Sequence, residues 1–440
     1  MNILVVTPEL PWPPTSGGRA AQYSTLSALC KDHLFRIIYT GNEPDTLVRV
    51  KYLEKSLPNV KVLTPNYSSS YLYKSKYLST HINTFLDVSV RILLTWLINK
   101  KTQFFSNTDV QNNLSDKYLN LPKRPYFPFN PMNDKVIIEI NKHLEWANIL
   151  QAEFHDTISS ALLVNHQIPT VFICHQSHIG YVESFYKVKS INSITQLPTT
   201  FYDLKVTATL ETAYLLAFDK IVTFTNKDKN RVLACATSAD IVVSPFSLPI
   251  DSTVVNPGNL LKWPRKVVFI GAGGWYPNFD AVKWYLSDIQ PLLIDLVGIE
   301  LSHLHVYGQW SKKDMSIILS KNITFHGFVN NLSEEIKGSI SIVPIRIGAG
   351  LRTKILSSAI AASPIVTTTV GCEGIELIDG QHCLIADDIN IFANNIVRLI
   401  DSEQLCRTIA ISAYEQINGT YSPEIVRDTR NKIYEDLVSL

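Results

Sequence analysis

The sequence predicts an α/β protein of two domains, each a parallel sheet covered by helices, facing each other across a cleft. Three observations carry this. The chain has 440 residues, 46% of them hydrophobic, which is enough for two ordinary cores. Short β-branched runs alternate with helical patterns along most of its length, the signature of βα units and parallel sheets. Two of these runs, 3–7 and 266–271, end in proline or glycine loops and lead into helical periodicity, so each reads as the opening strand of a domain.

In the first half, residues 35–39, 149–151, 171–173, 221–224 and 241–243 read as buried strands. In the second half, 304–307, 323–325, 340–345, 365–367 and 383–386 do the same. The stretch 245–265 holds Pro245, Pro249, Pro257, Gly258 and Pro264 without a clear period and reads as the linker. The division is therefore 1–250, 251–422 and a final helix, 423–440, able to pack back on the first domain. Ser422 suits its N-cap, Pro423 its first position, and Glu424 its positive end. Residues of about 68–128 mix Tyr71, Tyr73, Lys74, Lys76 and Tyr77 with an apolar stretch around Trp96, followed by Lys100 and Lys101. A helical insertion in the first domain is the plainer reading. An interfacial membrane contact is the sharper one, since aromatic and basic side chains suit a headgroup region.

Composition excludes several classes. A net charge of +1 gives no global field for nucleic acid. The six cysteines form no CxxC pair, so buried free thiols in a reducing compartment are expected rather than a disulfide framework or zinc site. The start, Met1 to Pro8, reads as a strand and not a signal peptide. No apolar run of about 18 residues suggests a membrane span. A cytoplasmic location is expected, at the inner face of the cell membrane if the 68–128 segment touches lipid.

The most informative segment runs from Pro344 through Gly348, Ala349, Gly350, Leu351, Arg352, Thr353 and Lys354. A buried strand ends, a glycine loop follows, and a helix starts near Leu351. A helix N-terminus is a ready anion site. Arg352 and Lys354 in its first turn oppose the helix dipole, which invites a functional reason, and a bound diphosphate supplies one. A solvated helix start with chance basic residues is the bland alternative. A second anion-friendly loop, Pro14 to Arg19 with Gly17 and Gly18, follows the first strand. Ligands of open α/β sheets bind beyond the carboxyl ends of the strands, so two such loops on facing domains would enclose one ligand.

These pieces fall in an ordered set: 11–19; 269–271 with Trp275, Tyr276, Pro277, Asn278, Ala281 and Trp284; Val306, Tyr307 and Gly308; 325–329; 344–354; 364–366; and Gly371, Cys372, Glu373 and Gly374. The set resembles the retaining glycosyltransferases of family four, of bacterial surface-polysaccharide type, across almost all of the second domain and the start of the first. The resemblance implies the GT-B fold, two Rossmann-like domains with parallel sheets around a central cleft. It implies a nucleotide-sugar donor as co-substrate, with no cofactor and no metal, the sequence having no DxD cluster. Arg352 and Lys354 would neutralise the departing diphosphate, and transfer would proceed with retention by front-face attack. Glu373 would sit near the donor. Gly348, Gly350, Gly273, Asn278, Gly308, Phe328, Val329 and Gly371 would line the donor site, with Phe328 and Val329 near the nucleobase. Gly17, Gly18 and Arg19 would face a glycan or lipid-linked acceptor. His175 resembles the family's active-site histidine, with His155 a rival for that role. One departure matters: where relatives carry a glutamate after Lys-Ile-Leu, this chain has Ser357, followed by Ser358. Two other functions stay open at this point, a sugar-nucleotide epimerase and a non-catalytic nucleotide-sugar or glycan-binding protein.

Overall fold

The computed structural model describes residues 1–43, 45–65, 128–129, 132–164, 167–189, 197–247, 263, 266–318 and 320–439. The expected insertion at about 68–128 lies outside these residues but for its last, as does most of the 245–265 linker.

The first sheet grows from β1 (Asn2–Thr7), α1 (Gly17–Leu29), β2 (Leu34–Tyr39), α2 (Thr46–Ser56), β3 (Val60–Leu63), α3 (Asp134–His143), β4 (Ile149–Glu153), β5 (Thr170–Cys174), α4 (His178–Lys189), α5 (Leu197–Leu215), β6 (Lys220–Thr223), α6 (Asn226–Cys235) and β7 (Ile241–Val243). Its seven strands are parallel, in the order β3-β2-β1-β4-β5-β6-β7. The second comes from β8 (Val267–Ile270), α7 (Tyr276–Trp284), α8 (Gln290–Val297), β9 (Leu304–Tyr307), α9 (Lys312–Ile317), β10 (Ile323–Gly327), α10 (Leu332–Ile336), β11 (Ile340–Val343), α11 (Thr353–Ile360), β12 (Ile365–Thr367) and β13 (Leu384–Ile385), followed by α12 (Ile389–Asp401), α13 (Glu403–Tyr421) and α14 (Pro423–Val438). Its six strands are also parallel, in the order β10-β9-β8-β11-β12-β13.

The central strands are apolar without alternation because both faces are covered: Ile3, Leu4, Val5 and Val6 are all fully buried. Edge strand β10 does alternate, with Thr324 and His326 exposed. Two sequence expectations are corrected. The strand expected over 340–345 leaves the ladder at Val343, where Pro344 offers no N–H to continue it. The edge strand β3 was not expected, since Lys61 interrupts its short apolar run.

Each sheet has one switch point, where successive connections leave in opposite directions. In the first sheet it lies between β1 and β4, in the second between β8 and β11. The loops that open there are 8–16 and 154 onward in one, 271–275 and 344–352 in the other. These are the crevices in which open α/β sheets hold ligands. The last helix, α14, starts at Ser422, whose hydroxyl accepts from Ile425 N–H at 3.5 Å, and it packs on α1 and β4. Tyr434 on it donates to Gln151 Oε1 at 2.6 Å, and Asn431 Oδ1 lies 2.8 Å from His33 Nε2. No helix among the described residues is long and apolar enough to cross a membrane.

Candidate active site

The helix expected near Leu351 begins at Thr353, with Arg352 in an extended conformation as its N-cap. Gly348 and Gly350, at φ +130° and +80°, hold the preceding loop in backbone conformations that favour glycine. The Arg352 guanidinium folds back on that loop and donates through Nη1 to the Ala349 carbonyl, and to the Gly350 carbonyl at 3.0 Å. Its Nε and Nη2 are shielded from solvent and have no partner among the described residues. Lys354 is buried; Nζ donates to Asn278 Oδ1 at 2.6 Å and lies 4.2 Å from the centre of the Phe269 ring. Burial, and then Arg352, press the Lys354 pKa well below the usual lysine value; burial likewise lowers that of Arg352. Neither cation forms an ion pair among the described residues.

A second helix start faces this one. Gly17 and Gly18, expected just before a helix, form the first turn of α1, and Ser16 caps it by accepting from Arg19 N–H at 3.2 Å. A Cβ on Gly17 would sit 3.0 Å from Thr353 Oγ1 of α11. Neither helix has an acidic residue in its first turn. Two positive helix ends and two unpaired cations thus meet in the cleft, which leaves an electrostatic vacancy for an anion.

The other residues expected on the donor side lie at the carboxyl ends of the second sheet. Gly273 N–H donates to the Gln309 carbonyl at 3.0 Å after β8, and Asn278 Nδ2 donates to the Ala272 carbonyl at 2.9 Å. Gly308 follows β9 and donates to the Gly327 carbonyl at 2.8 Å. Beyond β10, Phe328 is exposed and Val329 packs against the buried cluster of Val268, Tyr307, Ile336 and Ala361. Gly371 follows β12 and donates to Thr368 Oγ1 at 2.8 Å. Ser357 stands half-buried on α11, its hydroxyl without a partner among the described residues, while Ser358 turns to Ser341 Oγ at 2.7 Å.

On the first domain the two histidines separate. His175 follows β5, stacks on Phe154 with ring centres 3.8 Å apart, and lies 3.9 Å through Nδ1 from where a Gly18 Cβ would stand. A Cβ on Gly350 would come within 2.5 Å of the His175 carbonyl, so both domains touch this residue. His175 Nε2 is 2.7 Å from Glu153 Oε2; Glu153 Oε1 accepts from Gln151, which accepts from Tyr434 of α14. That buried chain orients the imidazole. Glu153 was not singled out in the sequence, although an acid on a buried strand is its own signal. His155 points into the domain instead. Its Nε2 is 2.9 Å from Glu211 Oε1, and the Glu211 carboxylate accepts from His178 and Ile179 N–H, both at 2.8 Å, capping α4. Arg19 is tied to Glu9 at 3.0 Å and to Glu43.

Gly18→Ala is expected to lower kcat by about tenfold to a hundredfold with little change in melting temperature. Its Cβ would lie 2.6 Å from Phe154 Cε1, pushing the ring that carries His175. Steady-state kinetics beside a melting curve check this.

Glu373 spends both carboxylate oxygens on the first domain. Oε2 lies 2.6 Å from Lys227 Nζ and Oε1 accepts from Arg231. Burial alone would raise its pKa, but the hydrogen bonds from Arg231 and Lys227 win and hold it below the usual range. Gly348 N–H donates across the cleft to Ser184 Oγ at 2.7 Å, and Tyr181 stacks on Trp275 at 5.3 Å. Neither Arg231, Lys227 nor Ser184 has a local sequence signal; their partners are distant in the chain.

His155, Cys174 and Glu211 place three ligand-type atoms within 4.8 Å of one another. Both Glu211 oxygens are already hydrogen-bonded, and burial raises the Cys174 pKa well above its usual value, keeping the thiol protonated. Of the three, Glu211 is the one that anchors the start of α4.

Residues 264–402 match the family model of the glycosyl transferases group 1. A 44.6 kDa protein of the cps region of Klebsiella pneumoniae is 24% identical over 306 residues, covering 66% of this chain and 74% of its own length. TarM superposes with a TM-score of 0.64 at 12% identity, over 98% of both chains. Anabaena HepE, solved with UDP and glucose, gives 0.58 at 12% identity over the full length of both. The fold is GT-B, and the likeness to the group 1 glycosyltransferases lies in residues 264–402.

Proposed function

We propose that the protein transfers a sugar from a nucleotide-sugar donor to a glycan or lipid-linked glycan acceptor, with retention of configuration and without a divalent metal. The observation that carries this is the convergence of two helix N-termini with Arg352 and Lys354, neither of which pairs with a carboxylate among the described residues. A departing nucleoside diphosphate is the anion such a site suits, because its charge grows as the bond from C1 to the phosphate oxygen breaks. The acceptor hydroxyl attacks the same face and gives its proton to the leaving oxygen. His175, held by Glu153, lines the acceptor side. HepE is solved with UDP-glucose and TarM with UDP, so UDP-sugars come first among donors to try. A protein from a cps region among the relatives favours a surface polysaccharide as the acceptor class.

The test is a panel of nucleotide sugars, followed by melting temperature and slow donor hydrolysis. The expected result is stabilisation by one donor with hydrolysis of the same donor, both lost in Arg352→Ala. Stabilisation in the wild type that Arg352→Ala retains would move the donor away from this site. No response to any nucleotide sugar in folded protein would overturn the reading.

A further inference from the structure

Three imidazoles gather on one face of the edge pair β9–β10. His305, and His303 just before the strand, alternate with buried Leu304 and Val306, so both stand on the other face of β9. His326 joins them from β10. The ladder slips between Phe325 and Gly327, which leaves His326 as the extra residue of a bulge. Its ring stacks on Tyr307, centres 4.5 Å apart, and its Nε2 lies 3.0 Å from His305 Nδ1. His303 is held apart, with Nδ1 2.7 Å from Asn322 Oδ1 and Nε2 2.8 Å from Thr324 Oγ1. None of the three pairs with a carboxylate among the described residues.

We propose that His305 and His326 bind a divalent transition metal, Ni²⁺ or Cu²⁺, across the edge of the second sheet. Imidazole nitrogen suits these ions, whereas magnesium and calcium take oxygen. The spacing narrows the choice. With metal–nitrogen bonds of about 2.05 Å, two nitrogens 3.0 Å apart subtend about 94° at the ion. That is close to the right angle of tetragonal coordination; a tetrahedral ion needs about 3.3 Å. The proton that joins the pair moves to the outer nitrogen of its own ring, and neither His305 Nε2 nor His326 Nδ1 has a hydrogen-bond partner among the described residues. Both rings are ready to coordinate. Burial, and then Lys266, hold the His305 pKa down at about 4, and the same two causes lower that of His326. Solvent completes the shell, since His326 is exposed. Lys266, which donates to the Tyr307 hydroxyl, is the cation that opposes a metal here, and Glu335 of α10 the acid that favours one. Strand β8 stands between this pair and β11. The site is therefore separate from Arg352 and Lys354, takes no part in transfer and does not require the transferase reading.

Titration calorimetry of the untagged full chain with nickel, copper and zinc chlorides tests it, in a buffer that does not chelate. The wild type is expected to take up one Ni²⁺ or Cu²⁺ per chain, to melt higher with the ion present, and to show two imidazole nitrogens in the electron spin resonance of the copper form. His305→Ala and His326→Ala are each expected to weaken binding about tenfold or more, since even partners behind metal ligands are worth that much. His303→Gln should bind like the wild type, and Lys266→Gln should bind more tightly. Melting curves without metal show that each variant is folded. The proposal fails if the wild type takes up neither Ni²⁺ nor Cu²⁺ in a fixed ratio, or if binding survives both alanine variants. Binding lost in His155→Gln instead would move the ion to the buried group of His155, Cys174 and Glu211 and overturn it. Zn²⁺ held more tightly than either ion would overturn the right-angle site.

Discussion

Lys354→Met is expected to lower donor turnover by a factor of about a hundred to a thousand, the usual cost of removing one donor aimed at developing charge, while leaving the empty protein no less stable than the wild type. The two effects have one cause. In the empty protein the ammonium is buried, bonded to Asn278 Oδ1 and set over Phe269, with Arg352 as its charged neighbour and no carboxylate. Such a charge is costly until an anion arrives. A methionine fills similar volume without that cost, at the expense of the bond to Asn278. The pH dependence follows in sign. Because the folded-state pKa lies well below the ordinary lysine value, the unfolded chain binds a proton that the folded one releases over that interval. Stability of the empty wild type therefore rises with pH from the folded pKa to about 10.5, and this rise should be missing in Lys354→Met. Donor binding shows the opposite slope, since a diphosphate favours the charged form. Affinity should fall as pH rises above the empty site's pKa, and the variant should not show that fall. Melting curves and titration calorimetry across alkaline pH check both. A variant that is strongly destabilised, or that turns over normally, would mean that Lys354 serves the fold and not the donor.

The central strands of the sheets were legible because strands buried on both faces must be apolar throughout, and runs such as 3–7 or 340–343 have no other comfortable place, whereas the edge strand β3 was missed. The loop proposed to hold the anion could be picked out because its parts are local: two glycines, an arginine and a lysine within seven residues at a strand-to-helix turn. The helix start was read two residues early because Leu351 continues the apolar pattern, whereas the glycine-shaped loop keeps the chain extended through Arg352. What the sequence could not show is set by long-range contact. Nothing near His175 announces Glu153 as its orienting acid, since the two meet only because β4 and β5 are neighbours. The choice between His175 and His155 depends in the same way on which side of the sheet's end each ring faces. The residues that hold the two domains together were equally hidden. Glu373 reads locally as a donor-site acid, and its pairing with Arg231 spans 142 positions.

That pairing sets the second large effect. Arg231→Ala is expected to open the cleft and to cut donor hydrolysis by about tenfold to thirtyfold through the closed population, with the chemistry of the closed form unchanged. Glu373 is nearly buried, and removing its better-shielded partner leaves it with Lys227, whose side chain is half in solvent. Losing one partner of a shielded ion pair costs up to about 3–5 kcal/mol when burial is complete. Partial exposure here reduces that to about 2 kcal/mol, which moves a closed-to-open ratio by about thirtyfold. A larger radius of gyration in solution scattering, recovered when donor is added, is the expected signature. Acid should reproduce the variant in the wild type. The folded Glu373 carboxylate titrates below its ordinary range, so its bridge is fully present above about pH 4.5 and is lost as pH falls through the folded value. Glu373→Gln should open the cleft at neutral pH and remove the acid transition. If Glu373→Gln abolishes hydrolysis while scattering shows the cleft still closed, the carboxylate acts on the donor itself and the bridge is incidental.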